Sequence, residues 1–376
     1  MPGRPLRILQ VLRSPIGGLY RHVIDLSTAL AARGHELGLV MDNSLSDAQT
    51  AARLDMLAPH LALGVHKMPI PRLLGASDLT VPFRLKRLAR QYNIDVLHGH
   101  GAKGGFHARL ARMGSRKQVA IYTPHGGVLH FDQDRLAGKM FLQIENLLLG
   151  QTDAIVFESQ FARQSYSARI KTPPCPAPVI HNGLAEAEFV PVPARPEARD
   201  FGFVGELRDL KGILLLLEAL APVAHADGRP ATLVVAGDGP QRDDVVAMIG
   251  KLGLGERVTL VGVRPAREVF SQARCIVVPS LAESLPYIVL EAAAAAKPVI
   301  ATDVGGIGEI FGPTAGALVR PGNVEVLQHA LQHYLDDEAA AKAEMHQRLQ
   351  HVRSSFSLER MTTHIETLYR EAFSQR

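Results

Sequence analysis

Short apolar runs of strand length alternate along the chain with longer segments in which apolar residues recur at helical spacing. The runs at 7–12, 37–41, 95–98, 119–122 and 154–157 are too short for helices and lead into turn residues, so each is predicted to be a buried strand. Between them, residues 20–32 place Val23, Leu26, Ala29 and Leu30 on one helical face and stop at Gly34. Residues 101–112 (GAKGGFHARLAR) and 131–149 also read as helical, and Ser159 as a helix cap. The alternation resumes after a proline-dense passage, with strands expected at 201–204, 232–236, 258–260, 275–278 and 298–302. Helices are expected from Lys211 onward, at 285–296 with Pro286 in its first position, and at 358–373. Residues 42–82 are irregular and predict only short helices and loops. Strand, helix and strand in repeated order predict an α/β protein of Rossmann-like βαβ units.

A length of 376 residues suggests two domains, each large enough for its own core. The segment KTPPCPAPVI restricts the backbone and approaches a linker, for which PVPARPEARD at 191–200 is the candidate. The expected boundaries are therefore 1–190 and 191–357, followed by a terminal helical segment, 358–376.

Composition narrows the class. No uncharged apolar run reaches the roughly 18 residues of a membrane span, and the best candidate, 212–224, is interrupted by Glu218. The opening MPGRPLRILQVL is basic but runs directly into a strand without a small-residue cleavage site, so a soluble, unprocessed protein is expected. Cys175 and Cys275 form no Cys-x-x-Cys pair, which fits a reducing cytoplasm. The net charge of +4 hides an asymmetry: residues 1–180 carry 22 Lys and Arg against 12 Asp and Glu, and residues 181–376 carry 19 against 25. A basic half with few aromatics and no nucleic-acid motif points to anionic small substrates or an anionic membrane surface, not to nucleic acid. The segment VPFRLKRLARQY sets Arg84, Lys86, Arg87 and Arg90 around Phe83, Leu85 and Leu88; it reads either as a helix lying on lipid or as a solvated face over a core.

Candidate chemistry lies in the turns. The loop at 279–284 falls at the carboxyl end of a βαβ strand, where such units bind ligands. It carries Glu283, and Glu291 follows eight positions later on the next helix. Two carboxylates so placed can accept hydrogen bonds from sugar hydroxyls, with a helix N-terminus between them suited to phosphate. That spacing suits a sugar nucleotide, although Glu283 alone also reads as a complement to the helix dipole. Gly17 and Gly18 offer backbone N–H groups to phosphate but lack the Gly-x-Gly-x-x-Gly of a dinucleotide site. His125, between Pro124 and two glycines, is expected on a sharp turn and available to a ligand. Lys211 is expected in the first turn of a helix, where the dipole disfavours a cation; Asp209 as the cap can compensate, and an anionic ligand would do so better. His98 and His100 share a face only if their strand continues through them, and spacing supplies no third ligand; no metal site is expected. Lys103 and its neighbouring glycines read as polar cleft-lining residues.

Glu-x7-Glu followed by KPVIATDVGG resembles retaining glycosyltransferase family 4, whose members have the GT-B fold. The Gly-Gly loop, Pro-His-Gly, Asn182-Gly183, Lys-Gly, Gly237-Asp238-Gly239-Pro240 and the Gly305, Gly306 and Glu309 positions follow in the same order. The resemblance implies two Rossmann-like domains facing each other across a cleft, with segment 358–376 packing back on the first. It implies transfer of a sugar from a UDP- or GDP-linked donor to a glycan or lipid-linked acceptor, as in bacterial polysaccharide or lipopolysaccharide synthesis, without a metal cofactor and on the inner face of the membrane. By the same resemblance Glu291 takes the ribose, Glu283 the sugar hydroxyls, Lys211 the diphosphate and His125 the transferred sugar. Gly17, Gly18, Val263, Ser284, Leu285 and Pro286 complete the donor site. Glu206 stands where the family has arginine, so Arg208 is the candidate substitute; Ser284 and Ala296 stand where it has glycine. A nucleotide-sugar epimerase of the same fold and a non-catalytic glycan-binding protein are the alternatives.

Overall fold

The computed structural model describes residues 4–43, 48–72, 75–126 and 136–375. The chain divides into two compact units, Met1–Gly183 with Leu358–Arg376, and Leu184–Ser357. The first unit is built on six parallel strands: β1 Arg7–Val11, β2 Glu36–Asp42, β3 Val65–Met68, β4 Val96–His100, β5 Val119–Thr123 and β6 Ala154–Ile155. Their order is β3-β2-β1-β4-β5-β6, so the direction of strand addition reverses between β1 and β4. β3 lies in the stretch the sequence left irregular; VHKM is short and mostly half-exposed, so no apolar run announces it.

Helices cover both faces of that sheet. Helix Gly17–Ala32 buries Tyr20, Val23, Leu26 and Leu30 against Leu6, Ile8 and Leu37. The same cluster takes Met361, Ile365, Leu368 and Tyr369 from helix Leu358–Ser374, so the end of the chain belongs to the first unit. On the other face, Ser77–Gln91 contributes Val81, Leu85 and Ala89 to a core with Leu9, Val11 and Leu97. Helix Gly101–Arg112 packs there with almost no gap: a Cβ on Gly104 would lie 2.1 Å from the Val11 carbonyl oxygen. These glycines serve helix-to-strand approach, not a cleft lining. Lys103 is also spent inside the unit, its Nζ 2.7 Å from Asp78, which His107 approaches at 3.1 Å. Both corrections share one cause: spacing shows that residues are small or charged, but not which face they occupy. Below this helix Arg109 makes a bidentate pair with Glu145 at 2.8 Å, both buried, and Tyr166 donates to the same carboxylate at 2.9 Å. Residues 131–135 of the expected helix lie outside the described residues, and the helix runs Leu136–Leu148.

The second unit holds β7 Arg199–Val204, β8 Leu233–Ala236, β9 Val258–Gly262, β10 Ala273–Val278 and β11 Val299–Ala301, all parallel, in the order β11-β10-β7-β8-β9. Here the reversal falls between β7 and β10. Leu184 and Phe189 are buried in this unit's core, and Val192 and Arg195 donate backbone hydrogen bonds to Ala295 and Ser271. The proline-rich stretch is thus fastened to the second unit, and its last residues, Arg199 and Asp200, already belong to β7.

Candidate functional site

The turn after β7 and the turn after β10 meet at the second unit's topological switch point. A 3-10 turn, Asp209–Lys211, precedes helix Ile213–Leu220, so Lys211 lies before the α-helix and not in its first turn. Asp209 does not cap that helix; its side chain accepts a hydrogen bond from Gln241. Gly212 joins turn and helix at φ +68°, and a Cβ there would lie 2.1 Å from the Pro279 carbonyl oxygen. Only glycine combines that backbone with that contact. The close approach lets Leu281 N–H donate to the Leu210 carbonyl at 2.8 Å and brings Lys211 Nζ to 2.6 Å from Glu283 Oε1. Ser280 donates its hydroxyl to the same oxygen at 2.7 Å, while Thr302 donates to the Ser280 carbonyl at 2.5 Å. Beneath the loop, Gly306 N–H donates to the Ser284 carbonyl at 2.6 Å. Glu283 is therefore oriented by a cation, a hydroxyl and the fold of its own loop.

The remaining donor-site candidates lie on the same unit but in different settings. Leu285 and Pro286 are buried, Leu285 within the core, so their side chains are structural. Pro286 precedes helix Tyr287–Ala294 as an extended N-cap, which shortens the expected helix at both ends. Glu291, on that helix, borders a pocket of about 170 Å³ with Glu188, Pro265, Ala266 and Arg267. Val263, two residues before Pro265, is 62% exposed. Arg208 turns to Glu206 at 3.1 Å, with both side chains more than 40% exposed. Arg208 thus balances the Glu206 carboxylate. Ala296, where glycine was expected, follows the helix at φ +55°.

In the first unit the switch point lies between the ends of β1 and β4. Helix Gly17–Ala32 begins there with Gly17 and Gly18 exposed, and among the described residues no side chain caps its N-terminus. β4 continues through His98 and His100, and β5 ends at Thr123 just before His125. His125 has φ +50°, a left-handed backbone that a turn of this sharpness imposes. It is half-buried, with Nε2 3.0 Å from His100 Nδ1; Gly127, the second glycine of its motif, lies outside the described residues.

Around it the fold assembles groups that spacing did not reveal. His100 Nε2 donates to Gln10 Oε1 at 2.7 Å, and His22 Nδ1 donates to Asn182 Oδ1 at 2.9 Å. His98 is held by the Tyr369 hydroxyl at 2.5 Å and the Thr123 hydroxyl at 2.8 Å. Burial holds His22 down to about 4. It also pushes His98, His100 and His125 well below the usual imidazole range, with smaller contributions from neighbouring rings. All four are neutral at physiological pH. The only local signal for His22 was a polar residue on the buried face of an otherwise apolar helix.

The basic segment forms part of helix Ser77–Gln91, whose inner face is core. Its outer face carries Leu79 and Phe83, 73% and 75% exposed, beside exposed Arg84, Arg87 and Arg90. Among the described residues, no helix is long and apolar enough to cross a membrane.

Two parallel-sheet α/β units with these strand orders define the GT-B class. Solved structures with the same fold include sucrose-phosphate synthase from Thermosynechococcus elongatus, with TM-score 0.82 and 22% identity over 99% of this chain and 100% of that one. Anabaena HepE in complex with UDP-glucose has TM-score 0.79 and 18% identity over 99% and 100%. Residues 16–188 match the family described as Glycosyltransferase Family 4, and residues 185–351 match Glycosyl transferases group 1. Glycogen synthase of Mycobacterium tuberculosis is 27% identical, covering 94% of this chain and 91% of its own length. The gpi3 subunit of phosphatidylinositol N-acetylglucosaminyltransferase from Schizosaccharomyces pombe is 25% identical, over 85% and 71%. The chain belongs to this group 1 and family 4 of glycosyltransferases and is itself a glycosyltransferase. The epimerase alternative gains no support from these relatives.

Proposed function

We propose that the protein is a retaining transferase that takes a sugar from a UDP- or GDP-linked donor bound by the second unit. The observation that carries this reading is the 2.6 Å Lys211–Glu283 pair at the β7 and β10 switch point. A donor places its diphosphate against Lys211 and its sugar hydroxyls against Glu283, and Glu291 beside its pocket receives the ribose. The known complexes of HepE with UDP and with UDP-glucose support a nucleotide-sugar donor. The acceptor hydroxyl attacks the anomeric carbon on the face from which the phosphate departs. Its proton passes to the departing phosphate oxygen as the carbon–phosphate oxygen bond breaks, which retains configuration. Lys211 and backbone N–H groups stabilise the developing negative charge. Arg208 takes a lesser share because Glu206 engages it.

The acceptor side of the proposal is a glycan or lipid-linked hydroxyl in cell-envelope synthesis, reached from the cytoplasmic face. The exposed Leu79 and Phe83 among arginines support contact with an anionic membrane surface. Ligand-observed NMR of the full chain against a panel of UDP- and GDP-sugars tests the donor assignment. Binding of one nucleotide class that disappears in Lys211→Ala is expected; binding of none, or binding unchanged in that variant, overturns it.

A further inference from the structure

His22, His100 and His125 come from three separate places in the first unit: the helix after β1, the end of β4 and the turn after β5. One ring nitrogen from each lies within 4.8 Å of the other two. The tautomers of two of them follow from their partners. Asn182 Oδ1 can only accept, so His22 carries its proton on Nδ1 and has a lone pair on Nε2. Gln10 Oε1 can likewise only accept, so His100 carries its proton on Nε2 and has a lone pair on Nδ1. Among the described residues His22 Nε2 is buried and has no hydrogen-bond partner, in a residue 1% exposed. His100 Nδ1 faces His125 Nε2 at 3.0 Å.

A hydrogen bond from His125 to His100 satisfies that pair but leaves the His22 lone pair unpaired. A cation that accepts all three lone pairs leaves none. Nitrogens about 2.0–2.1 Å from a tetrahedral ion lie roughly 3.3 Å apart. The His100–His125 separation is already close to that value, and side-chain rotation can bring in His22. Amide oxygens that hold the far N–H of two rings supply the outer partners typical of metal-bound histidines. We propose that His22 Nε2, His100 Nδ1 and His125 Nε2 form a site for one zinc-class divalent ion, with its fourth position open. Sequence spacing does not suggest this set because His22 and His125 lie on other elements than the strand that carries His100. The proposal is independent of which sugar donor the second unit takes.

The test uses the full chain stripped with chelator and titrated with Zn²⁺ by calorimetry. One equivalent is expected to bind. Affinity falls at least tenfold in His22→Gln and in His100→Gln, about tenfold in Asn182→Ala, which keeps every ligand, and not at all in the exposed control His364→Ala. No stoichiometric binding, or the same affinity in all variants, overturns the proposal. X-ray absorption on the zinc-loaded wild type decides the matter should a variant fail to fold. Three imidazole nitrogens at about 2.0 Å support the site, and fewer than three refute it.

Discussion

Changing Glu283 to glutamine separates two duties that the proposed donor site gives to one ion pair. Lys211 Nζ lies 2.6 Å from Glu283 Oε1, with side chains 20% and 10% exposed. Two unit charges about 4 Å apart attract by roughly 4 kcal/mol at an effective dielectric near 20. Desolvation and side-chain ordering offset most of this, leaving a net contribution of about 1 kcal/mol. Glutamine keeps the shape, and its carbonyl still accepts from Lys211 and Ser280, so stability in urea should fall by only about 1 kcal/mol. A nucleoside diphosphate must draw Lys211 away from Glu283, so removing that charge removes a competitor. About 1 kcal/mol corresponds to roughly a fivefold change in affinity. Calorimetry with UDP and GDP should therefore show up to about fivefold tighter binding to Glu283→Gln. Transfer, followed by nucleoside diphosphate release with the identified donor, should fall on the order of 100-fold because the sugar loses its charged acceptor. Weaker binding of both diphosphates to the variant than to wild type would refute the reasoning, since Glu283 would then not compete for Lys211.

Ala296 sits just past its helix at φ +55°, where a side chain is strained; Ala296→Gly should stabilise the second unit by about 0.5–1 kcal/mol, read from the denaturant midpoint. Arg109 and Glu145 are a buried pair, so Arg109→Met leaves a carboxylate without its counter-ion and should cost about 3–5 kcal/mol in equilibrium unfolding. The folded chain holds His22 at about 4, whereas an unfolded histidine titrates near 6.5. Between those values the unfolded state binds more protons, so stability is retained above about 6.5 and falls as pH drops, by about 2 kcal/mol at pH 5 from this group alone. His98, His100 and His125 act in the same direction, so residue-resolved hydrogen exchange should show the first unit opening before the second on mild acidification. Phe83→Ser should reduce sedimentation with anionic vesicles without lowering the melting temperature, because the ring is 75% exposed; undiminished sedimentation counts against the membrane surface.

The elements easiest to read from sequence were those whose cause is local. Strands β1, β2, β4 and β5 are apolar runs buried on both faces, and helix Gly17–Ala32 announces itself by its periodic core residues. β3 escaped because its four residues are mostly half-exposed, and the helix after β10 was drawn too long because Pro286 and Ala296 were counted inside it. Lys211 and Glu283 were each legible as candidates from their motifs. Their contact, across 72 residues, rests on Gly212 fitting against the Pro279 carbonyl, a condition no periodicity reports. The same limit hid His22 and Asn182, which are 160 residues apart, and His98 and Tyr369, which are 271 apart. Lys103 shows the reverse error: an exposed-looking charge beside a glycine cluster turned inward to a buried aspartate.

The charge asymmetry of the sequence also acquires a different meaning once the switch points are known. The segment 181–376 is net acidic, with 25 carboxylates against 19 cations, yet it carries the lysine proposed to meet the diphosphate. Attraction of an anionic donor must then be local, from Lys211 and the N–H groups of adjacent turns, and its salt dependence should reflect few charges. The segment 1–180 has 22 cations against 12 carboxylates, but its switch point is lined by imidazoles that burial keeps neutral. Its positive charge instead appears on surfaces such as the outer face of Ser77–Gln91. Neutral rings can accept protons or donate lone pairs, whereas imidazolium rings have no lone pair to offer.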